Sequence, residues 1–233
     1  MKKLTIILTG LILVSFLSAQ SLDDIVGKYT AANKLDKISG FKTLKITGKM
    51  SMMGMEMPIV LWMKNPDKIK TVTSIQGQEI IQSFDGEKGY MVNPMSGSST
   101  PVEMTPEQIN QAQRSNMFKN EILNYLKEGK LVLEGEETIN GNPAYKLKAT
   151  IEEGTVSNIF IDKSTFLIVK SIINTTQEGM PITVESYPSE YTETNGILLP
   201  MKTTTSASGM EFIMTFTQVE VDIPIEDSVF TLK

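Results

Sequence analysis

Short stretches in which apolar and polar residues alternate follow one another through most of this chain. In LKITGKMSM, residues 44–52, the apolar side chains that share one parity are those of Leu44, Ile46, Met50 and Met52. Alternation with a period of two residues indicates a strand with one buried face. About eleven such strands, joined by turn signals such as Asn140 with Gly141, predict a mainly β protein built on one antiparallel sheet. We expect this sheet to curl on itself, with an open concave side.

Two regions break the alternation and favour helices. In residues 22–38 the apolar side chains fall at three- and four-residue spacings, and Ser21 is a suitable N-cap. The second region begins at Thr105, where a capping box with Gln108 is expected, and its apolar spacing weakens beyond Arg114. We therefore predict one N-terminal helix and two later helical pieces. These helices are expected to cover the concave side of the sheet.

The last strand changes parity part of the way along. Its apolar residues up to Phe216 share one face, whereas Val219 and Val221 have the opposite parity. One extra residue in the strand restores the alternation, so we predict a β-bulge near Thr217 or Gln218.

The first 19 residues read as a secretory signal peptide. Lys2 and Lys3 precede an apolar run, and small residues end at Ala19, after which we expect cleavage. The run is too short for a comfortable membrane span. Residues 20–233 are then expected to form one exported domain.

The composition excludes several classes of function. The chain has no Cys and no His, which removes disulfides, thiol nucleophiles, a lipid-modified cysteine and the commonest general base and zinc ligand. The formal charge of −5 gives no electrostatic footprint for nucleic acid. We expect no enzyme activity, no metal, no other cofactor and no nucleic-acid partner.

Six of the 15 methionines lie within residues 49–66. A methionine on an alternating strand usually fills a core, but this density favours a surface that adapts to a variable apolar partner. Since each buried methylene contributes about 0.8 kcal/mol, we predict a cavity for flexible hydrocarbon chains. The predicted lining residues are Met50, Met52, Ile59, Leu61, Trp62, Met63, Met210, Phe212, Met214 and Phe216. The predicted lid residues are Ile109, Ala112 and Met117.

Strand parity alone does not assign every predicted lining residue to the inner face. Residues 55–63 are apolar on both faces, so Trp62 belongs either to the lining or to the packing under the helices. A register shift of one residue would exchange the whole set for its neighbours.

Two motifs resemble those of the LolA/LolB-like outer-membrane lipoprotein carriers. LWMKNP, residues 61–66, is similar to the family pattern LW-x-K-x-P, and FDGEKGYMVNP, residues 84–94, is similar to DG-x-x-x-[WY]-x-x-NP. The resemblance extends over nearly all of residues 20–233. The matching residues are Leu61, Trp62, Lys64, Pro66, Asp85, Gly86, Tyr90, Asn93 and Pro94.

The resemblance implies a strongly curved, unclosed antiparallel sheet, a half β-barrel, whose helical lid encloses a hydrophobic cavity. It implies that this cavity takes lipoprotein acyl chains in the periplasm. It also implies acylated lipoproteins or other lipids as partners, with an inner-membrane donor complex and an outer-membrane acceptor. We expect a monomer. A lipid shuttle that is not lipoprotein-specific, or a sensor or interaction module on the same fold, remains an alternative.

The sequence departs from the family in two respects. The first strand of proteobacterial carriers has an arginine that helps to hold the lid closed, and the corresponding strand here has only Lys45, Thr47 or Lys49. The lipid-anchored acceptor of the family begins with a cysteine, which this chain lacks. A soluble shuttle therefore fits better than an anchored acceptor.

Overall fold

Thirteen strands form one antiparallel sheet in a computed structural model that describes residues 20–152, 154–177 and 180–232. The expected signal peptide, residues 1–19, lies outside these residues. The strands are β1 (Thr43–Met52), β2 (Met55–Lys64), β3 (Lys68–Ile75), β4 (Gln78–Phe84), β5 (Gly89–Asn93), β6 (Ser98–Glu103), β7 (Leu131–Ile139), β8 (Asn142–Glu152), β9 (Thr155–Asp162), β10 (Ile168–Gln177), β11 (Met180–Thr194), β12 (Ile197–Ala207) and β13 (Met210–Val221). The helices are α1 (Leu22–Ala32), α2 (Leu35–Gly40), α3 (Pro106–Arg114) and α4 (Glu121–Lys127).

The order of the strands leaves the sheet open. It runs β6-β5-β4-β3-β2-β1-β13-β12-β11-β10-β9-β8-β7, so the first and last strands of the chain pair in the middle. The two edges are β6 and β7, which do not pair with each other; the segment that joins them contains α3 and α4. The prediction of an unclosed half-barrel with helices is confirmed. The sheet has thirteen strands, two more than the roughly eleven that the alternation predicts.

The helices pack against one face of the sheet, which we call the inner face. In one cluster, Ile25 and Val26 of α1 and Ile122 of α4 lie against strands β7 to β9. In a second cluster, Ile38 of α2 and Phe118 lie against strands β1 to β3 and β12. The buried strand residues of these clusters are Leu131, Tyr145, Leu147, Ala149, Ile159 and Ile161 in the first, and Leu44, Ile46, Met63, Ile69, Ile197 and Leu199 in the second.

The N-terminal helical region differs from the single helix that the spacing predicts. Ser21 caps α1 and accepts a hydrogen bond from the Asp24 backbone at 3.2 Å, as expected. The helix then ends at Ala32, and Lys34 adopts a left-handed conformation with φ of 55° before α2 begins. A non-glycine residue carries no sequence signal for such a conformation, so the division was missed.

The later helical region divides as predicted. Thr105 and Gln108 form the expected capping box at the start of α3. Residues 115–120 separate α3 from α4, so Met117 lies in this connection and not in a helix. Asn116 anchors the connection, because its side-chain amide donates to the Pro66 carbonyl at 2.8 Å.

The predicted bulge in β13 is confirmed. Thr47 pairs with Gln218 and Gly48 pairs with Phe216, which leaves Thr217 as the extra residue. The two strands approach closely here, since a Cβ atom at Gly48 would lie 2.3 Å from the Thr215 carbonyl oxygen.

The second of the two motifs that resemble the family, residues 84–94, shapes turns. Asp85 accepts hydrogen bonds from the backbone of Lys88 at 2.8 Å and of Glu87 at 2.9 Å, which lowers the pKa of its carboxyl group. Asn93 accepts from the Met95 backbone at 3.2 Å and caps a short 3-10 helix, Pro94–Ser96. This motif thus specifies the connections around β4 and β5.

The C-terminal segment packs on the outer face of the sheet. Ser83 donates its hydroxyl hydrogen to the Phe230 carbonyl at 2.7 Å, and Phe230 is buried. Lys64 donates to the Ile225 carbonyl at 2.9 Å and pairs with Asp227 at 2.6 Å. Strands β2 to β4 are therefore covered on both faces, which explains the apolar residues on both sides of β2.

Candidate functional site

A cavity of about 460 Å³ lies between the inner face of strands β8 to β12 and the helices. Its volume is within the range of roughly 300–1,000 Å³ that is usual for ligand sites. Most of its wall is apolar. The apolar and aromatic lining residues are Tyr29, Leu35, Ile38, Met117, Ile122, Tyr125, Ile151, Ile159, Ile168, Ile173, Pro188, Tyr191, Leu198, Leu199 and Pro200.

The tyrosines of this wall are neutral at physiological pH. Burial raises the pKa of Tyr29 to about 12. Burial also raises the pKa of Tyr191, with a smaller contribution from the neighbouring Tyr29, and the Tyr191 hydroxyl donates to the Ile168 carbonyl at 2.9 Å. The cavity therefore offers a mostly apolar surface with neutral hydroxyl groups, and the charged side chains among its described lining residues are Arg114, Lys119 and Glu121.

Helix α3 lies beside this cavity and contacts strands near both open edges of the sheet. At the β5 side Ile109 packs closely against Gly89, where an added Cβ atom would lie 2.8 Å from the Ile109 side chain. At the β8 side the Arg114 guanidinium contacts the Glu152 carboxylate at 2.6 Å. Arg114 is the single arginine of the sequence. The helix is thus fixed at both of its sides to strands that lie far apart in the sheet.

Nine of the ten predicted lining residues share the inner face of three adjacent strands. Met50 pairs with Met57 of β2 and Met214 of β13, and Met52 pairs with Phe212. Trp62 has the other parity: it pairs with Lys45 and Lys70 and lies on the outer face. The residues on the inner face are Met50, Met52, Ile59, Leu61, Met63, Met210, Phe212, Met214 and Phe216.

None of these ten residues belongs to the wall of the 460 Å³ cavity as defined by the described part of the chain. The nine form an apolar surface beside it, because Met214 pairs with Thr203, and Thr203 lines the cavity. Packing explains the difference, since Met63 is buried in the cluster beneath α2 and Phe118. Met57 and Ile59 are also buried, whereas Met210 is 46% exposed.

The three predicted lid residues occupy different environments. Met117 lines the cavity from the connection between α3 and α4. Ile109 lies on α3 against β5, and Ala112 lies on α3 outside the cavity wall.

Sequence reasoning missed the half of the inner face that forms the cavity. In KSIINT, the alternation of Ser171 and Ile173 gives both residues the same face, and both line the cavity. This alternation indicates an inner face on β10, whereas the density of methionines favours β1, β2 and β13 as the lining.

The helices and acidic side chains give two further findings. Among the helices that the structure describes, none is both long and apolar enough to cross a membrane. Within residues 20–152, 154–177 and 180–232, no group of three or more carboxylate side chains is arranged to hold a metal ion.

Comparison with known proteins identifies the fold. No family model and no curated protein sequence matches the chain. A LolA superfamily protein from Nitrosomonas europaea matches with a TM-score of 0.61 and 14% identity over 91% of this chain and 98% of that chain. A DUF1329 family protein from Desulfovibrio piger matches with a TM-score of 0.59 and 13% identity over 89% and 97% of the two chains.

A third solved structure extends the comparison to lipoprotein sorting. It is a domain described as that of an outer membrane lipoprotein-sorting protein, from Vibrio parahaemolyticus, with a TM-score of 0.59 and 12% identity over 89% of this chain and 94% of that chain. Identities this low establish a common fold. This chain therefore has the LolA-like fold that its two motifs predict.

Proposed function

We propose that this protein is a periplasmic carrier that holds the acyl chains of lipoproteins in its cavity and moves them toward the outer membrane. The observation that carries the proposal is the apolar cavity of about 460 Å³ between the inner face and the helices. The similarity in fold to a LolA superfamily protein and to a lipoprotein-sorting domain supports the same assignment.

The wall of the cavity suits hydrocarbon chains of variable structure. The hydrophobic effect is non-directional, so an apolar wall accepts chains that differ in length and bending. Each methylene that leaves water contributes about 0.8 kcal/mol, so even part of an acyl chain binds appreciably. Tyr29 and Tyr191 stay neutral and add no buried charge.

Helix α3 acts as the lid in this proposal. It connects strands near the two open edges of the sheet, through the packing of Ile109 on β5 and the ion pair of Arg114 with Glu152 of β8. Movement of α3 would join the cavity to the methionine-rich surface through Thr203 and Met214. The inner-face residues of β1, β2 and β13 that are not buried, such as Met50, Met52 and Met214, would then extend the binding surface for longer or multiple chains. Methionine side chains adapt to such variable contents.

The proposal assigns binding and transfer without chemical conversion. The sequence has neither His nor Cys, and the polar groups of the wall are mainly hydroxyls. An inner-membrane donor and an outer-membrane acceptor are the expected partners, and the leader-like residues 1–19 support export. The absence of cysteine fits a carrier without a lipid anchor.

Filling the cavity from one strand position tests the proposal. Thr203 lines the cavity, whereas the next residue, Thr204, pairs with Tyr187 and Ile213 on the outer face. We expect Thr203→Phe to weaken binding of a dansyl-labelled acyl probe at least about tenfold, because the ring occupies ligand volume. Thr204→Phe should bind the probe as the unmodified protein does.

Both variants are compared by circular dichroism and thermal unfolding to establish that they fold. Unchanged probe binding by folded Thr203→Phe would refute this site. Binding of free lipid without any lipoprotein in the purified protein would favour the alternative, a lipid shuttle or sensor on the same fold.

A further inference from the structure

A row of hydroxyl groups interrupts the apolar wall of the cavity. Four adjacent strands each contribute one serine or threonine to the lining: Ser157 from β9, Ser171 from β10, Ser186 from β11 and Thr203 from β12. Ser157 pairs with Ile173 and Thr203 pairs with Pro188, so these two lie diagonally beside Ser171 and Ser186. Ser171 and Ser186 are direct cross-strand partners. Thr205 continues the row, since its hydroxyl lies 3.0 Å from that of Ser186.

These hydroxyl groups are polar, whereas most of the wall around them is apolar. Serine is not among the residues that favour strands, and a hydroxyl in an apolar environment costs free energy when it lacks a hydrogen-bond partner. A hydroxyl can donate one hydrogen bond and accept two. Several of them side by side form a surface that can bind a neutral polar group of a ligand.

The charged groups of the cavity lie on the opposite side. Among the described lining residues they are Arg114, Lys119 and Glu121, all in or next to the connection between α3 and α4. Arg114 is already paired with Glu152. A carboxylate at the hydroxyl row would therefore lose water without gaining a counter-charge from the sheet. A neutral carbonyl group would gain a donor at little cost.

We propose that this row binds the ester or amide carbonyl of an acylated ligand, so that the protein prefers neutral acyl esters or amides to free fatty acids. The inference rests on the proposed function and specifies its ligand class. The acyl chain occupies the aliphatic part of the wall, and the carbonyl oxygen accepts a hydrogen bond from Ser171 or Ser186. This places the polar end of the acyl group on the sheet side, away from α3.

Competition against a neutral hydrocarbon probe tests the preference. Diphenylhexatriene is displaced by 1-monopalmitoylglycerol or by palmitate at pH 8, each below its micelle concentration. We expect the ester to compete about three- to tenfold more strongly, which corresponds to one net hydrogen bond. The variant Ser171→Ala/Ser186→Ala should lose this preference and still bind the hydrocarbon probe. The matched control Thr204→Val removes a hydroxyl from the outer face and should keep the preference.

Each outcome separates the two proposals. Equal competition by palmitate and the ester, or an unchanged preference in the double alanine variant, would overturn the assignment of the hydroxyl row. Failure of the unmodified protein to bind diphenylhexatriene would contradict the proposed function, and this inference with it.

Discussion

Asp162 stabilises the turn between two strands of the cavity wall, β9 and β10. Its Oδ1 atom accepts hydrogen bonds from the backbone of Ser164 at 2.9 Å and of Thr165 at 2.8 Å, and from the Thr165 hydroxyl at 3.0 Å. Burial acts to raise the pKa of this carboxyl group, but the hydrogen bonds outweigh burial and hold the pKa below its ordinary value. The ionised form is therefore the one that the fold favours.

Substitution of Asp162 should reveal this preference in the pH dependence of stability. We expect Asp162→Ala to lower the free energy of unfolding by about 1–3 kcal/mol at pH 7, because the donors lose their acceptor. Asp162→Asn keeps an acceptor and should lose less. Since the folded pKa is depressed, the stabilisation is present above the unfolded value of about 3.9 and disappears as the pH falls through the folded value.

Urea unfolding of the unmodified protein and of Asp162→Asn from pH 7 to acid measures this effect. The difference in stability between them should shrink as the pH falls below about 5. A difference that stays constant over that range would contradict the account of the carboxylate.

Gly48 permits the close approach of β1 and β13 at the bulge. Because a Cβ atom there would lie 2.3 Å from a backbone oxygen, we expect Gly48→Ala to lower the free energy of unfolding by about 2–3 kcal/mol. Gly27 is a matched control within α1, with open space at its Cβ position. Gly27→Ala should raise stability by about 0.5–1 kcal/mol through helix propensity. Chemical denaturation measures both changes, and equal effects would contradict the packing at the bulge.

At the scale of elements, α3 connects distant strands through contacts of modest strength. Arg114 and Glu152 have side chains that are 33% and 50% exposed, so their ion pair contributes at most about 1 kcal/mol. Breaking this ion pair therefore costs little free energy. This is the property that a lid requires.

Removing the ion pair should speed ligand entry without destroying the site. We expect Arg114→Ala to raise the association rate of an acyl probe up to about fivefold, as measured by stopped-flow fluorescence at low salt. The exchanged pair Arg114→Glu/Glu152→Arg should restore the slower rate. An association rate that is the same in all three proteins would show that α3 does not control entry.

The elements that sequence predicts well are those fixed by local chemistry. The alternation of apolar and polar residues predicts the strands, and the change of parity near Thr217 predicts the bulge. The capping box of Thr105 and Gln108 predicts the start of α3. The break at Lys34 and the edge strand β6 lack such local signals, because tertiary contacts decide them. For the same reason the sequence indicates an apolar inner face but not the part of it that the helices leave open.

At the scale of the whole molecule, the two faces of the sheet are covered to different extents. The outer face of β2 to β4 is closed by the C-terminal segment, which buries Phe230. The inner face is only partly filled by helices, so a cavity remains over β8 to β12 and a methionine-rich surface remains beside it. Trp62 illustrates the division, since its parity places it on the outer face in spite of its apolar neighbours on the inner one.

Native mass spectrometry of the protein purified from the cells that produce it tests the carrier account most directly. The account predicts a bound fraction that releases acylated protein, or its acylated peptides, on denaturation. The variant Thr203→Phe should be purified with much less of this bound material. A protein that is consistently empty, and that also fails to take up an acyl probe, would contradict the account and leave the cavity and its methionines as ordinary features of the fold.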